Sequence, residues 1–116
     1  MKTFIIFACF TFVLSFAEME NTEDLTKVYC SSSEQLKIRV CVIENRADMV
    51  IDIFRNCVNK IAFYNTVDEM SEFVCGNATD EQYAEYRSCF DSGMMSENLS
   101  NPNFLKIIKL CLSRYT

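Results

Sequence analysis

Seven cysteines in a chain of 116 residues constrain this fold more than anything else in its sequence. Cys9 stands apart from the others. It lies in the apolar run FIIFACFTFVL at residues 4–14, which follows Met1 and Lys2 and precedes Ser15-Phe16-Ala17. A positive start, a short apolar core and a small-x-small end are the parts of a secretory signal. Residues 1–17 are therefore predicted to be a signal peptide, removed on export. A membrane span needs about 20 apolar residues, and Glu18, Glu20, Glu23 and Asp24 cut this run short; no later stretch is long enough to span. The cysteines that remain are Cys30, Cys41, Cys57, Cys75, Cys89 and Cys111. An even set in a short exported chain implies three disulfides. The chain has no C-x-x-C step and no histidine, so zinc-type ligand spacing is missing.

The expected organisation is a signal peptide at 1–17, an acidic N-terminal arm at 18–29 and one helical six-cysteine domain at 30–116. A domain this small buries only about 60–70% of its unfolded surface. Disulfides worth about 2–4 kcal/mol each then count heavily against a net stability of about 5–15 kcal/mol. Glycine and proline are scarce, with only Gly76, Gly93 and Pro102. All-β folds spend these residues on turns, so the chain is read as all-α, a single disulfide-stapled bundle of about five short helices.

The helices are placed by caps and periodicity. Ser31 with Glu34 forms a possible capping box for a helix over 32–45, although Leu36, Ile38, Val40 and Val42 alternate as a strand would. Over 47–64, Val50, Phe54, Cys57, Val58 and Ile61 fall on one helical face. Thr66 with Glu69, and Thr79 with Gln82, open two more helices, with Gly76 and Gly93 expected as their left-handed ends. Residues 94–100 are read as a loop. Asn101-Pro102 then starts a last helix with Phe104, Ile107, Ile108 and Cys111 on its stripe.

If each helix runs antiparallel to the one before, Cys30, Cys57 and Cys89 collect at one end and Cys41, Cys75 and Cys111 at the other. Three cysteines at each end cannot all pair locally. A disulfide holds its Cα atoms within about 7 Å, while three turns of helix span about 16 Å. The bundle is thus predicted not to be a simple up-down array, because at least one helix must cross the others. Cys30–Cys57 ranks first among single bonds, and the rest of the fifteen possible pairings stay open.

Composition excludes several functions. With no histidine, imidazole-based nucleophile activation is absent and His-based metal sites are absent too. No catalytic residue, metal ligand or cofactor is assigned, and the expectation is a protein that is not an enzyme. The formal net charge of −5 becomes −6 when Lys2 leaves with the signal. That balance opposes nucleic-acid binding, which relies on neutralising phosphates. Asn77-Ala78-Thr79 and Asn98-Leu99-Ser100 are glycosylation acceptors for an exported chain. Phe54, Phe63, Phe73, Tyr83, Tyr86 and Phe90 are candidates to line a ligand cavity, or simply to fill the core. Lys106, Lys109 and Arg114 give the last helix a basic side, which a membrane surface could attract.

A signal peptide, about five helices and six cysteines resemble small secreted helical proteins of arthropods. The step Cys30-x10-Cys41 is similar to the opening of the tick microplusin-like antimicrobial proteins, which sequester copper through histidine-rich ends that this chain lacks. The insect odorant-binding proteins share the six-cysteine helical shell. Their C-x3-C hallmark is missing, since fifteen residues separate Cys41 from Cys57. The leader MKTFIIFACFTFVLSFA with its acidic continuation looks like that of an arachnid venom or gland protein. The resemblance implies an extracellular protein. Its partner would be an unknown extracellular protein target, or a small apolar ligand held in a closed cavity of about 300 Å³ or more. A defence role is the third expectation.

Overall fold

The computed structural model describes residues 23–116, so the predicted signal peptide, Cys9 and residues 18–22 of the acidic arm lie outside the described residues. Among the described residues the chain forms six α-helices and no strand: α1 (Leu25–Ser31), α2 (Gln35–Glu44), α3 (Met49–Asn59), α4 (Val67–Glu72), α5 (Asp80–Ser100) and α6 (Phe104–Arg114). A π-helical turn, Phe73–Asn77, continues α4.

Local chemistry fixes most of these boundaries. The Thr66 and Thr79 capping boxes both form as expected, with the threonine hydroxyl accepting from the Glu69 or Gln82 amide and that residue's side chain accepting in return. Four corrections concern the ends. The Ser31–Glu34 box does not form. Ser31 closes α1 and donates to the Val28 carbonyl at 2.7 Å, while Ser32 Oγ accepts from the Glu34 amide at 2.9 Å. Residues 25–29, read as an irregular arm, are helical because Asp24 caps them, its carboxylate accepting from the Lys27 amide. Gly76 is not left-handed; no glycine among the described residues has a positive φ. Gly93 does not end a helix either, and α5 runs through it and through residues 94–100.

Packing explains Gly93. A Cβ there would lie 2.8 Å from Ile53 Cγ2 on α3. Cys57 and Cys89 are bonded in the same interface. Four residues back on one helix matches four forward on the other, so α3 and α5 lie antiparallel and close. The left-handed position is instead taken by Arg46, with φ 61°. Around it the Arg46 amide donates to the Ile43 carbonyl and the Ala47 amide to the Val42 carbonyl, the paired bonds that end α2 in a Schellman motif.

Among the described residues, with α4 and its π-helical continuation taken as one segment, every helical segment carries one cysteine, and the disulfides join the segments in pairs. Cys30 of α1 bonds Cys75 of the π-helical turn, Cys41 of α2 bonds Cys111 of α6, and Cys57 of α3 bonds Cys89 of α5, with Cα separations of 5.4, 5.8 and 5.7 Å. The favoured Cys30–Cys57 bond is thereby corrected. Cys57–Cys89 and Cys41–Cys111 each pair within a predicted trio, and the leftover Cys30 and Cys75 pair across. They do so because α1 is a separate helix laid against the π turn and α6.

The core is built from Ile38, Val42, Phe54, Val58, Met70, Phe73, Tyr86, Phe90, Phe104, Ile108 and Leu112, all buried. Tyr86 sits at its centre, with ring centroids 5.8 Å from Phe54 and 5.5 Å from Phe90. Its buried hydroxyl shares a 2.8 Å hydrogen bond with Thr26 Oγ1. This bond, Tyr29 OH with Ser71 Oγ at 2.9 Å, and Ser32 Oγ donating to the Tyr115 carbonyl at 2.7 Å fasten the first helix and its exit to distant parts of the chain.

Two outcomes test this architecture. Gly93→Ala should lower stability by about 1–3 kcal/mol through overpacking against Ile53, whereas Arg46→Gly should raise it by about 1 kcal/mol by relieving the left-handed residue; thermal melts of both variants check the pair. Under mild reduction without denaturant, Cys30 and Cys75 should be alkylated first, since Cys75 is exposed while Cys41 and Cys111 are buried. Peptide mapping of the labelled cysteines reads the order.

Candidate functional site

The alternation that made residues 36–42 look strand-like has a helical cause. Ile38, Cys41 and Val42 face the core and are buried. Leu36, Val40 and Ile43 stand on the opposite side of the same helix, 64%, 42% and 53% exposed. At 100° per residue these three fall within a 60° arc by helix geometry, at the i, i+4, i+7 spacing of a docking helix. A helix apolar on both faces belongs inside a protein, yet α2 is covered on one side only. Lys37, Glu44 and Arg46, all exposed, border the stripe with charges of both signs.

Behind α2 a partly open pocket of about 70 Å³ lies among the helices, walled by residues of all six. Of the cavity candidates, Phe54, Tyr86 and Phe90 reach it. The other three are placed elsewhere. Phe63 projects from the α3–α4 connection, 77% exposed. Phe73 is buried against Tyr64, ring centroids 5.4 Å apart. Tyr83 is half-buried and its hydroxyl donates to Asp24 Oδ2 at 2.6 Å. The volume is well below the roughly 300 Å³ of a drug-sized ligand cavity, because the aromatic side chains stack on one another and fill the space.

Among the described residues that line the pocket Arg39 alone is charged, and it meets the space through its apolar atoms. Its side chain is 15% exposed, and Nη2 donates to Asp68 Oδ1 at 2.7 Å, tying α2 to α4. Its Nη1 is buried and has no hydrogen-bond partner. Sequence reading missed Arg39. Its position between two apolar faces of α2 was the available signal, hidden by the apparent alternation.

The remaining candidates sit apart from this region. Asn77 is exposed at the end of the π turn. Asn98 lies inside α5 rather than in the expected loop, half-buried, its Oδ1 accepting from the Leu105 amide at 3.2 Å. The apolar stripe of α6 is spent on the core through Phe104, Ile108, Cys111 and Leu112, and Leu110 is its one large apolar side chain that is exposed. No group of three or more metal-ligating side chains occurs among the described residues.

Burial, then the hydrogen bond to Asp24, raises the Tyr83 phenol well above its ordinary value. Burial likewise raises Tyr86, opposed by its bond to Thr26. A raised acid keeps its proton in the folded chain when the unfolded chain has lost it. This contribution to stability is therefore full below about pH 10 and declines as pH rises beyond it. Absorbance at the tyrosinate band should show Tyr83 and Tyr86 ionising together with alkaline unfolding, and Tyr83→Phe should remove one such step.

Comparison of the chain with protein-family models, curated proteins and solved structures found no match to any of them.

Proposed function

We propose that this is an exported, non-enzymatic binding protein, a component of a venom or gland secretion, that docks an extracellular protein target against the outer face of α2. The observation that carries the reading is the exposed stripe Leu36, Val40 and Ile43. Isolated apolar side chains on a surface need no explanation, but an ordered row on an otherwise core-facing helix does. Helix-in-groove recognition uses anchors at this spacing, and the mixed charges beside the stripe match the polar rim of such interfaces. A protein groove fits better than an anionic membrane, which the net charge opposes, −5 for the full chain and −6 without Lys2. The three disulfides support an oxidising destination, where a small domain keeps its shape without a large core.

Photocrosslinking from position 40, with position 55 on the exposed polar side of α3 as control, tests the proposal in the fluid that receives the protein. A discrete adduct with a protein is expected from position 40 alone. It should vanish in the double variant Leu36→Asp/Ile43→Asp, whose melting should stay within about 0.5 kcal/mol of the parent as surface changes do. Equal crosslinking from both positions, an adduct that survives the double variant, or an adduct only with a second copy of the chain would overturn the reading.

A further inference from the structure

Asn77-Ala78-Thr79 and Asn98-Leu99-Ser100 both fit the glycosylation motif, and the fold separates them. The motif pairs a carboxamide with a hydroxyl two residues on, so the transferring enzyme must take both side chains into one site. Extended backbone points residues i and i+2 to the same side, whereas a helix sets them about 200° apart. Asn77 ends the π turn, and the chain then runs extended through Ala78 (φ −71°, ψ 140°) and Thr79 (φ −70°, ψ 165°). Asn77 and Thr79 are both exposed. Among the described residues the Asn77 carboxamide has no hydrogen-bond partner. The Thr79 hydroxyl accepts from the Gln82 amide at 3.2 Å and keeps its own proton to donate. Gly76 beside them faces open space, since a Cβ there would meet nothing within 4 Å.

The second motif is arranged differently. Asn98, Leu99 and Ser100 are the last three residues of α5, so the carboxamide and the hydroxyl leave the helix on nearly opposite sides. The Asn98 side chain is also engaged: its Oδ1 accepts at 3.2 Å from the Leu105 amide, a first-turn donor that α6 cannot satisfy from within. The 21-residue α5 is opened by the Thr79 capping box. Helices form in about a microsecond, far faster than synthesis at about 5–20 residues per second, so α5 closes around Asn98 ahead of any transfer.

We propose that Asn77 carries an N-linked oligosaccharide and that Asn98 does not. In the transfer, Asn77 Nδ2 bonds to the anomeric carbon of a lipid-diphosphate-linked oligosaccharide, Nδ2 loses a proton and the lipid diphosphate leaves. The glycan stands off the outside of the π turn, where bulk and polarity are tolerated. The proposal rests on export of the chain, because that chemistry belongs to the secretory pathway.

Translation of the full chain in the presence of microsomes tests it. Protease protection reads export by the native leader. A second chain, with an unrelated secretory leader ahead of Met1, enters in any case and reads glycosylation independently. One endoglycosidase-sensitive glycan per protected chain is expected. Asn77→Gln should remove it and Asn98→Gln should leave it. Ser100→Thr gives the second motif the same hydroxyl residue as the first and should still add none. A protected chain without a glycan, a glycan that survives Asn77→Gln, or a second glycan in the parent or in Ser100→Thr would each overturn the proposal. Protection lost with the native leader alone would instead count against export itself.

Discussion

Three covalent bonds, each joining a different pair of helical segments, are the constraint on which the rest of this structure depends. They close sequence separations of 45, 70 and 32 residues. In the chain-entropy view, each such closure destabilises the unfolded chain by about 4 kcal/mol, comparable with much of the net stability of a small domain. No helical segment is left out, so none has to be held by apolar contact alone. That relaxes the demands on α1 and α4, which at seven and six residues are too short to stand as independent helices.

The crosslinks also free surface for other uses. A domain of this size without staples would have to turn most of its large apolar side chains inward. Here α2 is anchored through Cys41 to Cys111, both buried, and can present Leu36, Val40 and Ile43 outward. The same economy allows Arg39 to remain in the wall of the core with one donor unpaired. The exposed row and the unpaired donor share one helix, α2.

Tyr86 links the covalent frame to the core. Its ring packs among Phe54, Phe90 and Tyr83, and its hydroxyl bonds Thr26 of α1. Without that bond the buried phenol would lose a partner worth about 1–3 kcal/mol. Together with Tyr83 on Asp24, it holds α1 in place from the far side of the Cys30–Cys75 bond. The aromatic residues therefore do structural work first. Their mutual stacking is the reason the pocket is small.

The sequence by itself determined the helical class, the two threonine capping boxes, the core face of α3 and the even set of cysteines. Each follows from neighbours within one or two turns: a hydroxyl three residues from a carboxyl or amide group, or an apolar residue every third or fourth position. Tertiary structure alone decided which cysteines meet, what Gly93 is for, and that α5 continues where a loop was expected. Gly93 reads as a stop signal until Ile53 of another helix is found against it. Arg46 shows no sign in the sequence of taking a left-handed conformation. The pairing of Cys30 with Cys75 required a helix at residues 25–31, and that helix is fixed by bonds to side chains as distant as Tyr83 and Tyr86. Local patterns specify elements because their causes are local; contacts between elements arise from packing, which depends on residues far apart in the chain.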